Sequence, residues 1–275
     1  KSIAFDDAGR LYVNVGAPSN ACQEERRTRG SPGMDPCPHL ERQAGIWRFD
    51  ADRVDQDQSD GEQFATGIRQ AIAMRWSSRH GELYAVQHGR DQLHSLWPER
   101  FTAKQNAELP AEEFLCVKKG DNFGWPYSYY DPLQDKRVLA PEYGGDGKTV
   151  GRAAQFKDPL FAFPAHWAPN DLLFYEGGQF PERYRGGAFI AFHGSWNRAP
   201  LPQRGFKVVF VPFDGSRPSG EYEIFADGFA GTEVVRSVND ARFRPMGLAE
   251  GPDGSLYISD SRRGRVWRIL YAPEP

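Results

Sequence analysis

Apolar and polar positions alternate in short bursts along the chain. Gly9-Arg10-Leu11-Tyr12-Val13, Gly81-Glu82-Leu83-Tyr84-Ala85 and Gly254-Ser255-Leu256-Tyr257-Ile258 share one pattern, and Gly187-Ala188-Phe189-Ile190-Ala191 is a looser copy. A period of two over a few residues marks a β-strand. Each copy follows another short apolar strand, at Ile3 to Phe5, Ile72 to Trp76, Leu172 to Tyr175 and Met246 to Ala249, across a turn rich in Gly, Asp, Ser or Arg. Third strands are predicted at Gly45 to Phe49, Phe114 to Val117, Val208 to Pro212 and Val266 to Leu270. Fourth strands are predicted at Phe64-Ala65, Leu160 to Phe163 and Tyr222 to Phe225, and the last group has none of its own.

Groups of four antiparallel strands, repeated every several tens of residues, predict an all-β fold of the β-propeller type. A β-sandwich also uses many short strands, but it gives no reason for the repeated turn-plus-Leu-Tyr unit. Residues 1–275 read as a single β-propeller domain with about four blades. The final group wants a strand from elsewhere and Lys1 is not an initiator Met, so further N-terminal blades are expected ahead of it. The stretches Gly16 to Ala44 and Arg90 to Glu112 are expected to be loop insertions, where binding residues concentrate.

Composition agrees with short strands and tight turns. The chain holds 29 Gly and 21 Pro among 275 residues, and aromatics make up 13%. A formal net charge of −3 argues against a nucleic-acid binder driven by bulk charge. No apolar run approaches the ~18 residues of a membrane-spanning helix. Cys22 and Cys37 share one polar loop, and their spacing predicts a disulfide formed in an oxidising compartment over a pair of free thiols. A metal site is a weaker alternative, since His39 is the only neighbouring ligand. Cys116 reads as a buried strand thiol, and Trp47, Trp76, Trp125, Trp196 and Trp267 chiefly as packing between blades.

Five motifs in order carry a family resemblance. They are Phe64-Ala65-Thr66-Gly67-Ile68-Arg69-Gln70, Gln87-His88-Gly89-Arg90-Asp91, Gly120-Asp121-Asn122-Phe123-Gly124-Trp125-Pro126, His193-Gly194-Ser195-Trp196-Asn197-Arg198 and Arg242-Phe243-Arg244-Pro245. Together they resemble the glucose/sorbosone dehydrogenase family over nearly the whole chain, most closely its sorbosone branch. The resemblance implies a six-bladed quinoprotein propeller, periplasmic or secreted, that oxidises an aldose or a sorbosone-like aldehyde with pyrroloquinoline quinone and calcium. Electrons would pass to an external acceptor such as a cytochrome or a quinone.

The same residues suit that chemistry. A cofactor with three carboxylates needs guanidinium groups converging from several blades, and Arg69, Arg198, Arg242 and Arg244 lie at loop ends of different blades. By resemblance, Arg69 and the Arg242/Arg244 pair match the family's cofactor-binding arginines, and Arg198 takes the place of a further basic group. Calcium wants oxygen ligands, which backbone carbonyls can supply, and the step that corresponds to the family's calcium-binding Gly-Pro is Gly89-Arg90. The family's Arg-Asn-x-Gln motif reads Arg69-Gln70-Ala71-Ile72, so one amide is replaced at Ile72.

The family's proton-accepting His would lie just before the strand that begins at Ser2, ahead of Lys1. Within the chain, His166 is the remaining catalytic candidate, while His193 and Phe163 are the sugar-binding candidates, Phe163 in place of an aromatic that stacks on the sugar in relatives. Each has a plain structural alternative: a hydrogen-bonded His, or blade core for Phe163. Two other functions compete. A calcium-dependent sugar lactonase would need acids and amides such as Glu176, Asn170 and Asp260 to meet. A non-catalytic binding propeller would keep the fold without the cofactor.

Overall fold

The computed structural model describes residues 2–272. Four sheets follow one another along the chain, antiparallel except where the short strand Asp121–Asn122 pairs parallel with Glu62–Thr66 at the edge of the first. The first joins Ile3–Phe5, Arg10–Val15, Gly45–Asp50 and Glu62–Thr66; the second, Ala73–Ser77, Glu82–Gln87, Glu112–Val117 and Phe161–Phe163. The third joins Pro169–Phe174, Ala188–Phe192, Lys207–Val211 and Glu223–Ala226, and the fourth has three strands, Pro245–Glu250, Leu256–Asp260 and Val266–Ile269. The first strands of neighbouring sheets lie against one another. The chain is a β-propeller, with its blade strands where the alternation predicts them to within about three residues, the widest difference being Pro169–Phe174 against an expected start at Leu172.

Period two explains how one strand serves two cores. In Glu82–Gln87, Leu83 and Ala85 face the first sheet and pack with Tyr12, Ile46 and Phe64, while Tyr84 and Val86 face the third sheet and pack with Leu172, Phe174 and Ile190. A strand covered on both faces must be apolar on both, so Leu83-Tyr84-Ala85-Val86 has no polar break. The register Leu83↔Val117, Tyr84↔Cys116 extends the division to the next strand. Phe189, Phe210, Leu248 and Leu256 fill the space between the third and fourth sheets. Each such side chain, once fully buried, contributes about 1.5–3 kcal/mol of transfer free energy.

The loops at the sheet ends have a core of their own. Short helices at Leu93–Leu96 and Ala103–Glu108 pack Leu93, Trp97 and Phe101 against Tyr129 and Val138. Tyr129 and Val138 belong to a two-stranded ribbon, Ser128–Asp131 with Lys136–Leu139, that the strand pattern does not predict. Cys22 and Cys37 are disulfide-bonded as expected, and Cys116 is a free buried thiol. Two of the tryptophans depart from the expectation of packing between blades. Trp125 packs on the Cys22–Cys37 loop and donates its indole N–H to the Asn20 carbonyl at 2.8 Å, and Trp196 is 65% exposed. Neither lies in a regular strand, where alternation would have fixed the face it buries.

Candidate functional site

Arg69 leaves the first sheet just after Glu62–Thr66 and turns toward the second. Its Nη1 donates to the Gly89 carbonyl at 2.9 Å and its Nη2 to Asn20 Oδ1 at 2.8 Å, with Asp91 Oδ2 at 3.3 Å. Its Nε is buried with no partner among the described residues. Burial presses the Arg69 guanidinium pKa downward, against the pull of Asp91 and Glu112. A buried donor without an acceptor is costly, so this one is available to a bound anion.

Asp91 gathers the surrounding loops. Its carboxylate accepts from Asn197 Nδ2, lies 3.5 Å from His166 Nδ1, and its backbone N–H donates to Asn20 Oδ1 at 3.1 Å. Burial alone would raise the Asp91 pKa, but His166 and Arg69 outweigh it and hold the group below the ordinary value. Glu112 ties the same loops from below: Oε2 accepts from the Gly89 N–H at 2.9 Å and Oε1 from the Ala168 N–H at 3.0 Å. A Cβ at Gly89 would stand 2.8 Å from the Ala111 carbonyl oxygen, so the step needs glycine.

The polar groups continue as an arc over the second, third and fourth sheets. His88 Nε2 lies 2.7 Å from the Pro169 carbonyl oxygen, the His193 N–H donates to the Ala168 carbonyl at 2.9 Å, and Arg244 Nε donates to the His193 carbonyl at 3.1 Å. His193 Nε2 meets Ser261 Oγ at 2.7 Å. Burial, and then the Arg244 charge, press the His193 pKa down to about 4, so its imidazole is neutral at neutral pH.

The remaining expected residues are placed apart from this arc. Arg198 is 3% exposed and donates to the backbone carbonyls of Ala107 (2.9 Å), Ala165 (3.2 Å) and Pro202 (3.2 Å). Arg242 is exposed, with its guanidinium over the Phe243 ring. Phe163, expected beside a sugar, is wholly buried between Phe161, Phe192 and Tyr222, because its inward position in the fourth strand of the second sheet is blade core. The Arg90 side chain forms a buried two-pronged pair with Glu142, leaving only its backbone carbonyl for a cation.

His166, at φ +61°, is 4% exposed, with Nε2 2.8 Å from the Asn106 carbonyl oxygen and Nδ1 toward Asp91. Both nitrogens thus face acceptors. Glu176 pairs with Arg79, whereas Asp260 accepts from the Arg244 and Arg263 N–H groups, so the structure does not bring these two acids together. Asn20 and Glu112 hold this candidate site together, and sequence reasoning did not single them out. Asp91 stood in the His-Gly-Arg-Asp motif, which was the signal for it.

Fold and site together define a β-propeller with a polar arc over its loop face. The chain belongs to the TrAA12-like family, whose model matches residues 41–272. It is 27% identical over 282 residues to a pyrroloquinoline quinone-dependent pyranose dehydrogenase of Coprinopsis cinerea, covering 87% of this chain and 36% of that protein. An uncharacterized protein of Borreliella burgdorferi is 27% identical over 209 residues, 75% of this chain and 48% of that one. The chain therefore spans less than half the length of these relatives.

Among solved structures, the calcium structure of the Trichoderma reesei AA12 enzyme superposes with a TM-score of 0.72 at 19% identity, over 96% of this chain and 66% of that one. The holo pyranose dehydrogenase quinone domain from Coprinopsis cinerea gives 0.70 at 20% identity, over 98% and 69%. The resemblance read from the five motifs is that of a true relative.

Proposed function

We propose that the chain is part of a pyrroloquinoline quinone-dependent oxidoreductase acting on a sugar, an aldose or a sorbosone-like aldehyde. The observation that carries this reading is Arg69, half-buried beside the Gly89-Arg90 step with its Nε buried and unpartnered among the described residues. Arg69 and Arg244 would hold the cofactor's carboxylates, with Arg242 as an outer cation, and the Gly89 and Arg90 carbonyls would take calcium. When bound, the quinone supplies a two-electron acceptor for a hydride leaving the sugar carbon.

The protein's part is to set those groups in advance. Asp91 fixes Arg69, while Asn197, His166 and Asn20 fix Asp91. His166, with both nitrogens engaged, is a positioning residue in this geometry. His193, neutral at physiological pH, can hydrogen-bond a sugar hydroxyl. Arg198 anchors its loop to three backbone carbonyls. The disulfide supports a periplasmic or secreted setting, with electrons passing to an external cytochrome or quinone.

The test is titration of the calcium-loaded chain with pyrroloquinoline quinone, followed by dye reduction with aldoses and sorbosone. The expected result is saturable binding that Arg69→Ala weakens by about tenfold or more, the size of a charge-assisted hydrogen bond. No binding would overturn the cofactor assignment in favour of a binding propeller. Lactone hydrolysis without an electron acceptor would favour the hydrolase.

A further inference from the structure

A cleft of about 250 Å³ opens beside Arg69 and Asp91, walled by Asn20, Arg26, Arg27, Gln92 and Trp196. Its cationic wall is tied down. The Cys22–Cys37 disulfide closes the loop, and the Gln23 side chain, on a residue only 4% exposed, donates to the carbonyls of Thr28 (2.9 Å) and Ser31 (3.2 Å). Gln23 Oε1 accepts the Arg27 N–H at 3.2 Å, with Arg27 at φ +57°, and Arg26 Nη2 donates to the Pro18 carbonyl. Among the described residues neither Arg26 nor Arg27 pairs with a carboxylate, whereas Arg48, Arg90, Arg137 and Arg183 each do.

The other wall is an aromatic plane held open. Trp196 is 65% exposed, although an indole gains much by burial. Its backbone has little freedom to fold it away. Asn197 is bonded to Asp91, and Arg198 is locked into the carbonyls of Ala107, Ala165 and Pro202. The carboxylate of Asp91, engaged by Arg69, Asn197 and His166, offsets only part of the cleft's positive charge.

An indole face, two guanidiniums without a carboxylate partner and the Gln92 amide in one cleft match a sugar ring that carries a carboxylate. The ring's C–H face would lie on the indole, its carboxylate on the arginine forks, and a hydroxyl on the Gln92 side-chain N–H, which Asn20 orients by donating its Nδ2 to Gln92 Oε1 at 2.9 Å while its own Oδ1 accepts from Arg69 and the Asp91 N–H. We propose that the cleft binds acidic sugars, uronates, and that Arg26, Arg27 and Trp196 give this chain its substrate preference. The proposal rests on the dehydrogenase reading only for the step that follows binding.

The experiment is calorimetric titration of the full chain, at pH 7 and low salt, with cellobiouronic acid and with cellobiose, its neutral counterpart. The wild-type chain is expected to bind the acid about tenfold more tightly, as a charge-assisted contact provides. Arg26→Gln/Arg27→Gln should erase that preference and leave cellobiose affinity unchanged, while Trp196→Ala should weaken both sugars. Equal affinities in the wild type, or a preference that survives in the double variant, would overturn the proposal. A separate titration with pyrroloquinoline quinone keeps the two readings apart. Loss of quinone affinity in the double variant would reassign the arginines to the cofactor and overturn the proposal. A wild-type chain that prefers the uronate but does not bind the quinone would sustain the cleft assignment and refute the dehydrogenase.

Discussion

Between the second and third sheets, Tyr84, Phe114, Phe163 and Phe174 meet Ile190, Phe192 and Val209 with no charged side chain in the cluster. Over the ends of the same sheets, Arg90 meets Glu142, Arg137 meets Glu113 and Arg69 meets Asp91. The first region is buried, as are the Arg90 and Arg137 pairs of the second, with Arg69 and Asp91 half-buried, yet the two are held by different forces. Apolar contacts are numerous, individually weak and non-directional, so blade core tolerates a change of shape if volume is kept. Buried charges are few and directional, and each depends on one partner. In Arg90, burial disfavours the cation but Glu142 outweighs it and its pKa rises; in Glu113, burial outweighs Arg137 and the pKa also rises. The loop face is thus ordered by pairs that hold the backbone in place, which is what a site needs before a ligand arrives.

The sharpest way to break this contrast is to remove one partner of a buried pair. Glu142→Ala strips Arg90 of its counter-charge and Trp97 of its acceptor, and is expected to cost about 3–5 kcal/mol in chemical denaturation. A loss below about 1 kcal/mol would show that the loop pairs are solvated in solution and that the contrast is false.

On the apolar side, Phe163→Leu should cost roughly 1.5 kcal/mol or less and leave sugar affinity unaltered, because the ring lies inside the blade. A fall in sugar affinity without loss of stability would return Phe163 to the binding site.

A third effect, present only on acidification, concerns His193. Its folded pKa, about 4, is below the ordinary 6.5, so between these values the unfolded chain binds a proton that the folded chain refuses. Stability therefore falls as pH drops from about 6.5 toward about 4 and is unaffected by this group above that window. Melting temperatures of wild type and His193→Asn, measured from pH 7 to pH 4.5, should converge on acidification as the wild type loses its margin. Parallel curves would mean that the imidazole is solvated.

Much of the blade framework was legible before the structure. Leu83-Tyr84-Ala85-Val86 alternates between two cores, and a strand's period of two is a local property that any single copy displays. The Cys22–Cys37 pairing was legible for the same reason, since both thiols lie in one short loop. The site was legible only in part. Arg69, Gly89, His193 and Arg244 stand in short motifs and do line one arc. Arg198 carried the same residue type and the same motif support, yet it is spent on backbone carbonyls, and Phe163 is spent on the core.

The positions of the blade strands, the residues of those strands that face a core, and the loops that carry cationic and histidine side chains could be read from the amino-acid order alone, because these follow from spacing along the chain, whereas the Ser128–Asp131 and Lys136–Leu139 ribbon could not. The use of each polar side chain was decided only in three dimensions. Glu112 joins Gly89 to Ala168, Asn20 meets Arg69 from 49 residues away, and Asn197 reaches Asp91 across 106. Such contacts have no period. A charged or amide group takes whichever partner the folded loops bring within about 3 Å, and burial then makes that partnership costly to exchange.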